Sequence, residues 1–297
     1  MSFDFFSGEA LLSLCKQHDM TISQVMIQRE LQIGNLSVCA LREEMAQNLA
    51  VMRASIEKGL AQDQCSVTGL TGGDAEKLND YAAKAHMGSR MARVVAASMA
   101  VVEVNAGMGR IVAAPTAGAS GILPGALIVC GEECGWSDDQ LIDGLFTAAA
   151  VGALIARNAT ISGAEGGCQA ETGTAAAMAA AAIVELSGGK PPIALHAAAI
   201  TLKNVMGLVC DPVAGLVECP CIKRNALGAV NAVLCADMAL AGISSMIPFD
   251  EVVMAMKSVG RLMSPDLRET AKGGLASTPT GKAMARRLGL GLYAKED

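Results

Sequence analysis

An all-α fold follows from three features of the sequence. Ala and Met dominate the long segments, aromatic residues make up only 3% of the chain, and apolar positions recur at helical spacing in segment after segment. That combination favours helix over strand. With 297 residues and 52% apolar composition the chain can bury a sizeable core. No internal repeat, low-complexity tract or polar linker divides it, so it reads as one domain over residues 1–297. The expected architecture is a compact multi-helix domain with buried central helices and glycine-rich connecting loops.

The elements can be justified in order. Helical periodicity covers 8–32 and 36–60, where Thr21 and Ser37 are suited to cap helix N-termini. A helical pattern then runs over 75–108 almost without breakers, and Gly88 marks a joint between two helices. Further helices are predicted over 138–158, 169–186, 196–206, 225–241 and 249–263. Several of these are apolar nearly all round and belong in the interior. The connectors at 68–74, 113–121 and 162–168 are rich in glycine, and apolar or neutral where ordinary linkers would be polar. They read as buried loops whose backbone amides must find partners. Anions suit such loops where they lead into a helix N-terminus, as GGCQ at 166–169 does.

Charge and hydropathy exclude some classes of function. The balance of 23 basic and 29 acidic residues gives a formal charge of -6, with no basic block to neutralise a run of phosphates. Nucleic acid is therefore not an expected partner. Mean hydropathy is +0.40, yet the longest apolar run, 145–156, falls short of the ~18 residues that a spanning helix needs. It reads as a buried core helix, and no membrane association is expected. The opening MSFDFFS lacks a basic region and carries Asp4, which points to a cytoplasmic protein without a secretory leader.

In a reducing compartment ten cysteines mean core packing, metal binding or catalysis before disulfides. Cys15, Cys39, Cys65 and Cys235 stand alone and read as small buried hydrophobes, and so do Cys130 and Cys134. Cys168, Cys210, Cys219 and Cys221 differ, because each sits on a glycine or proline connector that can aim its side chain into a shared cavity. Structural zinc calls for four closed ligands at short paired spacings, which these positions do not offer. An iron-sulfur cluster accepts widely spaced thiolates and, with three of them, leaves one iron open for chemistry. Spacing alone does not choose between Cys219 and Cys221 as the third ligand.

The strings TGLTGGDA (68–75), PTAGASG (115–121), SGAEGGCQAE (162–171) and ITLKNVMGLVCDPVAGLVE (200–218) together resemble the α chain, or catalytic domain, of the iron-sulfur-dependent L-serine dehydratases. The resemblance extends through RETAKGGLA (268–276) and TPTG (278–281). It implies a mostly helical fold around a [4Fe-4S] cluster held by three cysteines spaced 42 and 11 positions apart, the spacing of Cys168, Cys210 and Cys221. Cys219 falls outside that pattern, at a position that is apolar in the family. Single-chain relatives carry a further domain ahead of this one, so the resemblance implies a separate β chain and an oligomer. Some single-chain relatives also end in a cysteine that caps the open iron, whereas this chain ends YAKED. Self-capping through its own C-terminus is not expected.

The implied reaction is dehydration of L-serine to 2-aminoacrylate, and hence pyruvate and ammonia, without pyridoxal phosphate. Candidates for the α-proton are Thr116, Ser162 or a group of the β chain, and Lys203 is the catalytic candidate among the lysines that could form a Schiff base. Lys203, seven residues before Cys210, is equally suited to be a charged neighbour of cluster or substrate. Thr71, Gly72, Gly73, Ala117 and Gly118 offer amides to the substrate carboxylate, or merely allow close packing. Asn105 and Asn158 end or interrupt apolar helices and could lend an amide. His18 and His86 read as surface residues, and His196 as the start of a helix after Pro191 and Pro192. A cysteine desulfidase of similar architecture and a non-catalytic iron-sulfur or zinc sensor are the alternatives.

Overall fold

The computed structural model describes residues 2–34, 36–61 and 64–290. Among these there are thirteen α-helices and no strand, and the one β-type contact is an isolated bridge between Cys210 and Arg268. The C-terminal residues 291–297, on which the expectation about self-capping rests, lie outside the described residues.

The centre of the fold is α9 (Cys168–Leu186), enclosed by α6 (Ile122–Cys134), α7 (Asp138–Asn158), α10 (Pro191–Asn204) and α11 (Cys221–Leu240). Every residue from Thr172 to Val184 is buried. The run of alanines explains this, since Ala favours the helix while its small side chain lets neighbouring helices approach on all sides. At 21 residues α7 is long and apolar enough to cross a membrane by length and composition, which the 145–156 run alone was not. Two thirds of its most apolar window, 67%, is nevertheless buried inside the protein.

Outside this centre, α1 (Gly8–His18) and α2 (Ile22–Gly34) lie against α10 and α7, and α3 (Val38–Leu60) lies against α5 (Ser89–Ala106). The predicted caps hold. Thr21 Oγ1 accepts from the Gln24 amide at 3.3 Å, and Ser37 Oγ from the Ala40 amide at 3.1 Å. The Glu185 carboxylate, at the far end of α9, adds a charged cap by accepting from the amides of Ile22 and Ser23 at 2.8 and 3.2 Å. Gly88, at φ +82, separates α4 (Asp74–Tyr81) and the turn after it from α5, as predicted.

Several expectations are corrected. α6 begins directly after the 113–121 connector, because Pro124 occupies its first turn, where a missing N–H is harmless. For the same reason α10 starts at Pro191, not at 196, which puts His196 inside the helix. α11 starts at Cys221, not at 225, and α8 (Gly163–Gly166), α12 (Phe249–Leu262) and α13 (Pro279–Arg287) complete the set. Cys15, Cys130 and Cys235 are buried, whereas Cys39, Cys65 and Cys134 are exposed, so three presumed core thiols are surface groups. His86 is exposed, but His18 is half-buried with its ring 4.9 Å from that of Phe3.

Close helix contacts put some glycines under strict steric demand. A Cβ on Gly59 of α3 would stand 2.2 Å from the carbonyl oxygen of Ala100 in α5. Backbone cannot rotate away, so Gly59→Ala has to push the helices apart. The gain of roughly 1 kcal/mol in helix propensity is outweighed by an overpacking cost of roughly 3 kcal/mol. A lower thermal midpoint is expected for Gly59→Ala. Gly34→Ala, whose Cβ would meet nothing nearer than Leu36 Cγ at 3.9 Å, should leave the midpoint unchanged or raise it.

Candidate functional site

Three stretches remote in sequence meet beside the N-termini of α9 and α11, and each brings a thiol or frames one. Cys168 is the first residue of α9 and Cys221 the first of α11. Helix N-termini favour negative charge, so two of the three thiols stand where a thiolate is best tolerated. Cys210 lies on the connector after α10, where its amide donates to the Leu267 carbonyl at 2.8 Å and its carbonyl accepts from the Glu269 amide at 2.7 Å. The 267–269 segment thus holds Cys210 like a short strand partner.

Two of the thiols sense the third. Burial raises the Cys210 thiol well above the ordinary range, and the charge of Cys168 raises it further. Burial, followed by the charge of Cys168, pushes Cys221 up to about 12. Cys168 is raised by burial as well, although the Thr172 hydroxyl at 3.0 Å and the Arg224 guanidinium favour its thiolate. Cys219 is placed differently: it is half-buried in a small apolar cluster with Leu216, Met284 and Leu288, under α13.

Buried polar side chains hold this arrangement together. The Arg224 guanidinium donates to the Val209 carbonyl and to Asp211 Oδ1, both at 2.7 Å, and Asp211 Oδ2 accepts from the Leu275 amide at 2.7 Å. Both residues flanking Cys210 are therefore tied to α11. Gln169, fully buried, donates to the carbonyls of Gly166 and Met256 and accepts from the Gly207 amide at 2.8 Å. Asn225 donates to the Gly118 carbonyl at 2.7 Å and accepts from the Gly121 amide at 3.0 Å, fastening the 115–121 loop to α11. Gly167 has φ +77, and a Cβ there would stand 2.9 Å from the Leu208 carbonyl oxygen, so the turn into Cys168 requires glycine.

The other candidate residues fall into three groups. Thr116 donates to Glu171 Oε1 at 2.7 Å, and Gly118 packs against the same carboxylate. Ser162 opens α8 without a side-chain cap bond, and its neighbour Gly163 faces both Glu171 and Cys210. Thr116, Ala117, Gly118 and Ser162 thus lie on the loops that frame the thiols. Thr71 spends its hydroxyl on Glu218 Oε2 at 2.7 Å and its amide on Ser66. With Gly72 and Gly73 it therefore belongs to a loop bound to the segment just before Cys219. Asn105 ends α5 near that loop, since the next residue, Ala106, accepts from the Val67 amide. Asn158 donates to the Phe6 carbonyl at 2.9 Å, and Lys203 donates to the Ser245 carbonyl beside His196. Those contacts join α7 to the N-terminal segment and α10 to the segment before α12, and involve none of the three thiols.

Glu171, Asp211, Arg224, Gln169 and Asn225 escaped the reading of the sequence. For Glu171 a signal existed, because a position three after Cys168 on a helix lies on the same face. Burial raises the Glu171 carboxyl above its ordinary range, with the Thr116 hydroxyl pulling the other way.

Among the described residues no three or more His, Cys, Asp or Glu side chains converge on the position of a single metal ion. The donor set does fit an iron-sulfur cluster, whose thiolates each bind a different iron and need no common focus. Gly163 leaves room between them, since a Cβ there would stand 2.9 Å from Cys210 Sγ and 2.6 Å from Glu171 Oε2.

Fold and site together define an all-helical protein in which three thiols from distant stretches come near one another. The chain belongs to the serine dehydratase alpha chain family, which matches residues 17–276. It is 50% identical over 286 residues to a Bacillus subtilis protein named "Probable L-serine dehydratase, alpha chain", covering 96% of this chain and 95% of that one. An L-serine dehydratase alpha chain of Peptoniphilus asaccharolyticus is 44% identical over 282 residues, 94% of this chain and 97% of the other. An L-serine dehydratase of Streptomyces coelicolor is 38% identical over 283 residues, which are 93% of this chain and 61% of that protein.

Proposed function

We propose that this chain is the catalytic α subunit of a cytoplasmic, iron-sulfur-dependent L-serine dehydratase that works in an oligomer with a separate β chain. The observation that carries the reading is the proximity of Cys168, Cys210 and Cys221, in a chain of this family. These residues would hold a [4Fe-4S] cluster, which when bound supplies Lewis acidity for loss of the substrate hydroxyl. Pyridoxal phosphate is not required.

The chain's own residues then bind serine and manage its α-proton. Thr116 commits its hydroxyl proton to Glu171, and Lys203 commits its ammonium to Ser245. Ser162, half-buried next to Gly163 and without a side-chain cap bond, remains as the candidate hydroxyl for proton transfer, in competition with a group of the β chain. The amides of Gly72, Gly73, Ala117 and Gly118 are the candidates to receive the substrate carboxylate. Loss of the α-proton and the hydroxyl leaves 2-aminoacrylate, which tautomerises and hydrolyses to pyruvate and ammonia.

Purified without oxygen together with its β chain, the protein is expected to contain about four iron and four sulfide per α chain. It should release pyruvate faster from L-serine than from L-cysteine. The opposite preference would identify a desulfidase, and stoichiometric zinc without iron would identify a metal sensor.

A further inference from the structure

Glu171 has the surroundings of a cation receptor, and no role assigned above uses it as one. Its carboxylate lies against two glycines. A Cβ on Gly118 would stand 3.3 Å from Oε1, and one on Gly163 would fill the space between Oε2, at 2.6 Å, and Cys210 Sγ, at 2.9 Å. Glycine at both positions keeps the space between the acid and the thiols open.

The polar partners of this acid are of one kind. Oε1 accepts from the Thr116 hydroxyl at 2.7 Å, so the only proton of that hydroxyl points at the acid and its oxygen offers lone pairs alone. Among the described residues no Lys, Arg or His pairs with Glu171, and the charged neighbour that acts on it, Glu269, has the same sign. Neither nearby cation acts on it: Arg224 is engaged by Val209 and Asp211, and Arg268, on the segment bridged to Cys210, donates to the Glu165 carbonyl at 3.4 Å while its Nε stays unpartnered. A centre held by three thiolates is itself anionic and does not supply the missing charge. A secluded carboxylate beside a lone-pair donor, with no cation of the protein, calls for a ligand that brings both N–H donors and positive charge.

We propose that Glu171 Oε2 and Thr116 Oγ1 seat the α-ammonium group of the amino-acid substrate. The proposal rests on the serine dehydratase reading for the identity of that substrate. It gives the α chain a means of choosing amino acids over the corresponding hydroxy acids and carboxylates, because a ligand without the ammonium leaves both acceptors unpaired.

The test uses the cluster-loaded holoenzyme and two unreactive probes, L-alanine and propionate, which differ only in the amino group. Calorimetry should show the wild type preferring L-alanine by on the order of tenfold to a hundredfold, the worth of a charge-assisted hydrogen bond. Glu171→Gln should lose most of that preference while keeping wild-type iron content and visible spectrum, and its KM for L-serine should rise more than its kcat falls. Thr116→Val, which leaves the acid in place, should lose a smaller part of the preference. An undiminished preference for L-alanine in Glu171→Gln overturns the proposal. Loss of iron in Glu171→Gln combined with an unchanged preference in Thr116→Val overturns it too, since the acid would then serve the centre and not the ligand. A wild type that binds L-alanine over propionate yet does not turn over L-serine overturns the functional reading instead.

Discussion

Cys168→Ser, Cys210→Ser and Cys221→Ser are each expected to abolish iron binding and dehydratase activity, whereas Cys219→Val should keep both. The first three thiols are close enough that the charge of Cys168 raises the proton affinity of Cys210 and Cys221, the mark of groups that would repel if all were ionised without a cation. A bound cluster would require those thiols deprotonated and would supply the compensating charge, so the three ligands would depend on one another. A serine hydroxyl is a far poorer ligand than a thiolate, and two remaining thiolates do not replace the third. The activity loss should exceed roughly a hundredfold, the upper end of what a mere supporting contact contributes.

Because Cys→Ser is nearly isosteric, circular dichroism of the three variants should match that of the wild type, which separates ligand loss from unfolding. Cys219 packs against the apolar cluster of Val213, Ala214 and Ala285, and a valine there keeps the apolar packing. Iron and sulfide content, with the visible spectrum of anaerobically purified protein, checks all four variants. An iron-free Cys219→Val beside an iron-loaded Cys221→Ser would exchange the roles of those two thiols.

How much of this was legible in the sequence depended on the range of the interaction that decides each feature. Local rules identified the caps at Thr21 and Ser37, the break at Gly88 and the buried character of α9, because a cap, a positive φ and an all-round apolar helix leave local signatures. Local rules also misled. Pro124 and the glycines around it hid α6, and Pro191 moved the start of α10, since a proline in a first turn looks like a breaker until the helix that follows is recognised. The thiols drew attention by their connectors, but the side chains that position them did not. Asn225 meets Gly118 across 107 positions, Thr71 meets Glu218 across 147, and Leu275 meets Asp211 across 64. A single Asn or Asp in a sequence carries no sign of so distant a partner.

Asp211→Ala should have the largest effect on stability of any single change near the site. The Asp211 and Arg224 side chains are only 4% and 14% exposed, and their contact is 2.7 Å. Such a pair gives little net stability compared with apolar residues of similar size, because both charges had to leave water. Removing one partner is another matter: Arg224 would remain buried with the Val209 carbonyl and the Cys168 thiol but no carboxylate to hold it, and the Leu275 amide would lose its acceptor. The expected cost is roughly 3–5 kcal/mol, a fall in thermal midpoint on the order of 10 °C. Iron content should fall with it, since Asp211 anchors the loop that presents Cys210. Asp211→Asn keeps an acceptor for Leu275 and should lie between wild type and Asp211→Ala. The double variant Asp211→Ala with Arg224→Met separates a stranded charge from a lost scaffold. If the stranded guanidinium dominates, the double variant recovers most of the midpoint but not the iron, because the Val209 carbonyl and the Cys168 thiol have lost their common donor. A double variant no more stable than Asp211→Ala would instead assign the loss to the Leu275 bond and the turn it closes.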